Sequence, residues 1–214
     1  MRLPLLALLA GCSVFPRSLD KPTDDNTYVA LLTGSLGHPL DGIARHPWFA
    51  VHHKGDANWH VYEVGGGGEE ADPFRKHSEY LNPQLEKMWS GEEAERAAEC
   101  IERVGPAVRN WIQDHYIFYP GPNSNTFGDV VLRRCHLHAS LPSTSVGKDW
   151  RGWIGGGVTS EGTGLQLETP VIGVKVGLKE GVEVHIIGLS FGIDLWPPAL
   201  IVPWGSGRLG FADR

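Results

Sequence analysis

The sequence predicts an α+β fold, an antiparallel sheet with helices packed on it, extended by a β-rich C-terminal region. Three observations predict it. Aromatic and β-branched runs separated by turn residues fill the chain up to Val64, a charged, alanine-rich helical stretch follows Gly91, and beyond Leu141 glycine becomes frequent while helix formers thin out. At 214 residues the chain can build one domain with a real core and is too short for two full-sized ones.

Residues 1–11 carry one positive charge and then an apolar stretch too short to span a bilayer, which reads as a secretion signal. Leu9-Ala10-Gly11-Cys12 looks like a bacterial lipobox, in which Cys12 is lipidated after cleavage; a simple signal with a chance cysteine is the alternative. Two or three acyl chains give stable anchoring where one is marginal. Ser13 after that cysteine points to outer-membrane sorting, so the expected location is the cell envelope, lipid-anchored and facing the periplasm. Residues 12–26, polar with prolines and aspartates, suit a flexible tether. The body is then 27–140, the α+β core, and 141–214, the β-rich region packed on the same domain.

Tyr28 to Thr33 reads as a strand, followed by a loop from Gly34 to Gly42. Trp48 to His53 and Asn58 to Val64 are rich in aromatic and β-branched residues, and Lys54-Gly55-Asp56-Ala57 between them supplies a hairpin turn. From Gly65 to Gly91 the reading is an excursion loop with a helical turn around Gln84 to Trp89. Glu92 to Ile101 is a helix with Ser90 as N-cap and Gly105-Pro106 as its stop, then a helical or extended stretch to Tyr119. Pro120-Gly121-Pro122 forces a loop that delivers Ser124 to the start of a helix reaching Arg134, with Phe127 and Val131 facing the core. Val171 to Leu195 alternates around a Lys179-Glu180-Gly181 turn, and Pro197 to Gly210 reads as an irregular tail.

The formal net charge of -6 gives no basic surface, and no nucleic-acid partner is expected. Cys100 and Cys135 in an oxidising compartment are either bridged or a buried pair of free thiols. His136 and His138 beside Cys135 lack a further ligand cluster, so no metal and no cofactor are expected. Asp129 and Asp149 are solvated carboxylates or groups that bind polar parts of a substrate.

A hydroxyl or thiol nucleophile needs a base within hydrogen-bond reach and a third group to orient that base. Ser124, at a helix N-terminus, has backbone N–H groups and a helix dipole beside it. His46 opens a hairpin strand and His60 lies on the returning one, offsets at which a base and its orienter approach across the ladder. Helix capping by Asn123-Ser124, with no chemistry, is the competing account.

The histidine opening a strand, the polar residue on the hairpin return and the Asn123-Ser124-Asn125-Thr126-Phe127 helix start resemble circularly permuted papain-like proteins. These are the lecithin retinol acyltransferase-like enzymes, the PPPDE peptidases and permuted NlpC-type hydrolases. The resemblance implies a permuted papain-like core with His46 as general base, His60 as orienter and Ser124 in place of the nucleophilic cysteine, flanked by Asn123, Asn125 and Thr126 as binding residues. Thr126 stands where those families often carry histidine. The implied activity is a hydrolase or acyltransferase acting on an amide or ester, with peptidoglycan, lipid or an envelope protein as substrate; a degenerate cleft that only binds is the alternative. Pro-Gly-Pro-Asn-Ser-Asn-Thr-Phe at 120 to 127, Val146 to Asp149, Gly177 to Gly181 and Leu189 to Asp194 more closely resemble a bacterial family of uncharacterised lipoproteins, domain of unknown function 3750.

Overall fold

The computed structural model describes residues 21–22, 24–74 and 81–211. Cys12, the signal at 1–11 and most of the tether lie outside the described residues. Five strands come first: β1 (Tyr28–Ser35), β2 (Arg45–His52), β3 (Trp59–Tyr62), β4 (Gly68–Glu70) and β5 (Leu81–Ser90). Two helices follow, α1 (Gly91–Asp114) and α2 (Ser124–Arg134). The chain then runs through β6 (Gly155–Val158), β7 (Gly164–Glu168), β8 (Ile172–Gly177), β9 (Gly181–Ile186), β10 (Leu189–Leu195), β11 (Pro198–Ile201) and β12 (Arg208–Gly210). The fold is therefore mixed α+β with a β-rich C-terminal part.

The first sheet is antiparallel in the order β4-β3-β2-β1-β5. Its central strands are apolar on both faces and build two cores. Val29, Leu31, Phe49 and Val51 meet α1 and α2, while Ala30, Leu32, Trp48 and Ala50 meet Trp59, Val61, Phe74 and Leu85. Burial on both sides explains why these strands read as continuous apolar runs.

The expected helical turn at Gln84 to Trp89 is instead strand, and the reason is a bulge. β5 pairs with β1 with Leu31 opposite Lys87 and Leu32 opposite Leu85, so Glu86 is the extra residue. That shift puts Leu85 and Met88, three apart, in the same core cluster, which mimics helical spacing. The expected stop at Gly105-Pro106 is also corrected, because α1 continues through both to Asp114. Gly105, Val108 and Ile112 prolong the buried stripe of Ala94, Ala97, Ala98 and Ile101, and this packing outweighs the roughly 3 kcal/mol that an interior proline costs. Ser90 stands at the N-cap without making a side-chain cap hydrogen bond. The tail after Pro197 forms β11 and β12, with Pro198 tolerated as the first residue of its strand.

The helix α2 packs on β2 through a glycine. A side chain at Gly128 would bring its Cβ to 3.0 Å from Leu141 Cδ1 and 3.1 Å from Pro47 Cγ. Helix interior glycine costs about 1 kcal/mol relative to alanine, so its presence here serves close approach. A disulfide joins Cys100 on α1 to Cys135 at the end of α2, with Cα atoms 5.7 Å apart. The second sheet is a meander in the order β12-β11-β10-β9-β8-β7-β6.

Gly128→Val, by wedging α2 away from Pro47, is expected to cost about 1–3 kcal/mol, the range for overpacking a close contact. Urea unfolding followed by circular dichroism checks it, with a lowered midpoint and an unchanged slope as the expected result.

Candidate active site

The start of α2 is held by a reciprocal cap. The Asn123 Oδ1 accepts from the backbone N–H of Asn125 at 2.9 Å and of Thr126 at 3.2 Å, while Asn123 N–H donates to Thr126 Oγ1 at 3.1 Å. Asn123 is thus the cap and Ser124 the first helical residue, so capping accounts for Asn123 and Thr126 and leaves Ser124 without that role.

A second strand of chain clamps this turn from outside. Asn123 Nδ2 donates to Val146 O at 3.0 Å and to Phe118 O at 2.8 Å, Asn125 Nδ2 donates to Val146 O at 2.9 Å, and Thr126 Oγ1 donates to Gly147 O at 2.7 Å. Gly147 has φ +91°, and a Cβ there would lie 2.3 Å from Asn123 Nδ2. Only glycine brings the 146–147 carbonyls this close to the cap.

Ser124 and His46 line one cavity of about 410 Å³, together with Asn125, Tyr116, Gln113 and Val146. His46 is 3% exposed and lies opposite Gly34 in the β1–β2 ladder. Its Nε2 is 2.7 Å from the Glu63 Oε2, and Glu63 is 2% exposed. Glu63 follows the last residue of β3, and the glycine run after it folds over its carboxylate: a Cβ on Gly66 would lie 2.1 Å from Glu63 Oε1. Burial pushes the pKa of the Tyr116 phenol up, and the Ser124 hydroxyl works against that rise. Asn125 Oδ1 is buried and has no hydrogen-bond partner among the described residues.

His60 does not meet His46. It stands opposite Val51, five residues along β2 and about 16 Å away at the usual strand rise, with Nε2 3.3 Å from Asp56 Oδ2. The two offsets failed to face each other because the hairpin register pairs Tyr62 with Phe49, which carries position 63 rather than 60 toward His46. Glu63 was legible as an acid ending an aromatic strand before four glycines; Tyr116 carried no signal.

Asp129 and Asp149 are internal ion-pair partners. Asp129 binds Arg151 at 2.7 Å and Arg133 at 2.9 Å. Asp149 binds Lys148 and lies 2.8 Å from Lys175, and Glu183 lies 3.0 Å from Lys148. His185 completes this buried group, 2.8 Å from Glu168 and 2.9 Å from Glu183. Burial opposes charge on His185, but Asp149 and the hydrogen bonds to Glu168 and Glu183 carry its pKa up to about 9. Burial likewise opposes ionisation of Asp149, yet Lys148 and Lys175 hold it well below the usual range. Asp149, Glu168 and His185 offer ligand atoms within 4.8 Å of one another. Lys148 and Lys175 already pair with Asp149, and His185 with Glu168, so the donor set does not fit a cation.

A family model described as "Protein of unknown function (DUF3750)" matches residues 26–150. That span covers both helices, the cap and its clamp, and ends before β6. No curated protein and no solved structure matches the chain.

His185 is raised above the value of about 6.5 it has when unfolded, so its contribution to stability is complete below that pH and is lost as pH rises through about 9. The melting temperature is therefore expected to fall between pH 6.5 and 9. Calorimetric scans across that range check this, and His185→Gln is expected to flatten the dependence.

Proposed function

The chain belongs to the DUF3750 family, and from the geometry of its cavity we propose that it is a hydrolase or acyltransferase cleaving an amide or ester through Ser124. One observation carries the reading: the first residue of a capped helix and a buried histidine held by a buried carboxylate line the same cavity. The core is read as permuted papain-like, with His46 as base and Glu63 in the orienting role for which His60 is the sequence expectation. The setting is an envelope lipoprotein anchored through Cys12 in the outer membrane, its substrate an envelope peptide, lipid or lipoprotein.

The steps follow from the residue types. His46 donates its Nε2–H to the Glu63 carboxylate, which makes Nδ1 the basic nitrogen and orients it. Nδ1 takes the Ser124 hydroxyl proton as Oγ bonds to the substrate carbonyl carbon. The oxyanion so formed is stabilised by the N-terminal dipole of α2 and by the Tyr116 hydroxyl. Collapse breaks the bond to the leaving alcohol or amine, which receives the proton from His46. Water, or an acceptor hydroxyl or amine, then attacks the acyl-Ser124 ester with His46 again as base, restoring Ser124. The Asn125 Oδ1 supports amide recognition, since an unpaired buried acceptor suits a substrate N–H.

A serine-directed acylating probe is expected to label the wild-type protein at Ser124 and to leave Ser124→Ala unlabelled. Glu63→Gln is expected to slow labelling by about 10²–10⁴-fold, while His60→Gln leaves it within a factor of about three. Peptide mass mapping of the labelled site checks the assignment; a wild-type chain that stays unlabelled refutes the catalytic reading.

A further inference from the structure

The seven-stranded sheet carries its charges inward and its apolar side chains outward. The buried face holds Gln166, Glu168, Lys175, Glu183 and His185; Glu168 meets His185, and the others bind the 148–151 segment. On the opposite face a row of side chains stands in register across all seven strands, from Val158 on β6 through Leu165, Val176, Val182 and Ile193 to Leu209 on β12. Shorter rows follow on one side of it, Leu167 to Phe191 next to it and Ile172 to Leu189 beyond. Leu165 is 68% exposed, Ile193 56% and Val182 49%. None of these row positions is charged.

This orientation is fixed, because shifting a strand by one residue would send Lys175 and Glu183 to the outside and break the ion pairs beneath. The apolar face is therefore a settled surface that needs a cover. Seven strands of three to seven residues, about 4.8 Å apart and rising about 3.4 Å per residue, present roughly 600 Å² per copy, at the upper end of the largest apolar patch a monomer usually shows. We propose that a second copy of this chain covers it, the two sheets packing face to face as a symmetric sandwich.

Area, shape and edges favour that occupant. Two such faces together bury on the order of 1,200 Å², which reaches the range of specific interfaces, and interfaces between identical chains are the apolar ones. A face of short Val, Leu and Ile rows can meet its own copy across a two-fold axis and pack at the usual sheet separation of about 10 Å. A bilayer is the poorer occupant. The sheet is open, and lowering it into hydrocarbon would take the unpaired outer edges of β6 and β12 out of water, which open sheets do not tolerate. A net charge of -6 also opposes approach to an anionic lipid surface. In the sandwich the edges stay wet and only the apolar rows are covered.

The experiment places a photo-reactive residue by Val182→benzoylphenylalanine in the full chain, irradiated in intact cells, with adducts identified by mass and peptide mapping. The expected adduct has the mass of two chains and maps to β7–β10 of the second copy. Leu165→Glu in the same chain is expected to lower it at least tenfold, while the far-UV spectrum and the Cys100–Cys135 bridge, which report the fold, stay unchanged. An adduct to lipid, to residues 1–20 of the same chain or to a different protein overturns the proposal. So does a two-chain adduct that Leu165→Glu leaves intact in a folded protein, or no adduct at all.

Discussion

The position of the 146–149 backbone is the constraint on which the site depends. Its carbonyls at Val146 and Gly147 accept from Asn123, Asn125 and Thr126, which fixes the first turn of α2 and with it the direction of Ser124. Two residues later the same segment sends Lys148 and Asp149 into the ionic group of the second sheet. The segment is thus held at both ends by groups that cannot be left unpaired. Buried donors and acceptors each cost about 1–3 kcal/mol when orphaned, and buried charges more. Neither end can loosen without exposing the other, so the cap and the second sheet are mechanically one unit.

That coupling gives the charged inner face of the second sheet a purpose. Replacing a buried ion network by apolar residues is often neutral or stabilising, so stability alone does not account for it. Charges do supply register. Lys175 and Glu183 are opposite one another on β8 and β9, and Lys148 reaches Glu183 from the clamp, so one alignment of strands and clamp satisfies all of them. Arg151 extends the same logic from Gln166 on β7 to Asp129 on α2. Side chains of the sheet therefore set where the helix bearing Ser124 begins. The family match stops at Trp150, at the point where the clamp has been supplied and the sheet that holds it begins.

Much of the first sheet was legible because its signals are local: the Lys54-Gly55-Asp56-Ala57 turn, the aromatic runs around it, and the apolar stripe opening α1. Errors arose where register overrode local pattern. The bulge at Glu86 made a strand look helical, and continued burial carried α1 through Gly105-Pro106. At the site, Ser124 and His46 could be paired because each sits at the mouth of an element. The contact of Glu63 with His46 could not be read, since a hairpin's register depends on loop geometry that composition does not reveal, and a shift of three residues brings Glu63 rather than His60 to His46. The inversion of the second sheet was visible only as alternation, because period two shows that faces differ without showing which is inside.

On the proposed mechanism, the identity of the orienter bears on the serine that stands where the permuted papain-like proteins it resembles carry a thiol. A thiol near neutrality is already partly thiolate, and its histidine need only hold an ion pair. A hydroxyl is protonated throughout that range, so the base must take the proton during attack, and the imidazolium that forms must be stabilised where it stands. A neutral partner such as a histidine does little for that charge. A buried carboxylate 2.7 Å from Nε2 does much more, because low surrounding dielectric strengthens the pair as the imidazole becomes charged. Under the proposed papain-like reading, oxygen in place of sulfur at the nucleophile and glutamate in place of histidine at the orienter are thus chemically one change. On the proposed mechanism, the carboxylate of Glu63 is what makes the hydroxyl of Ser124 usable.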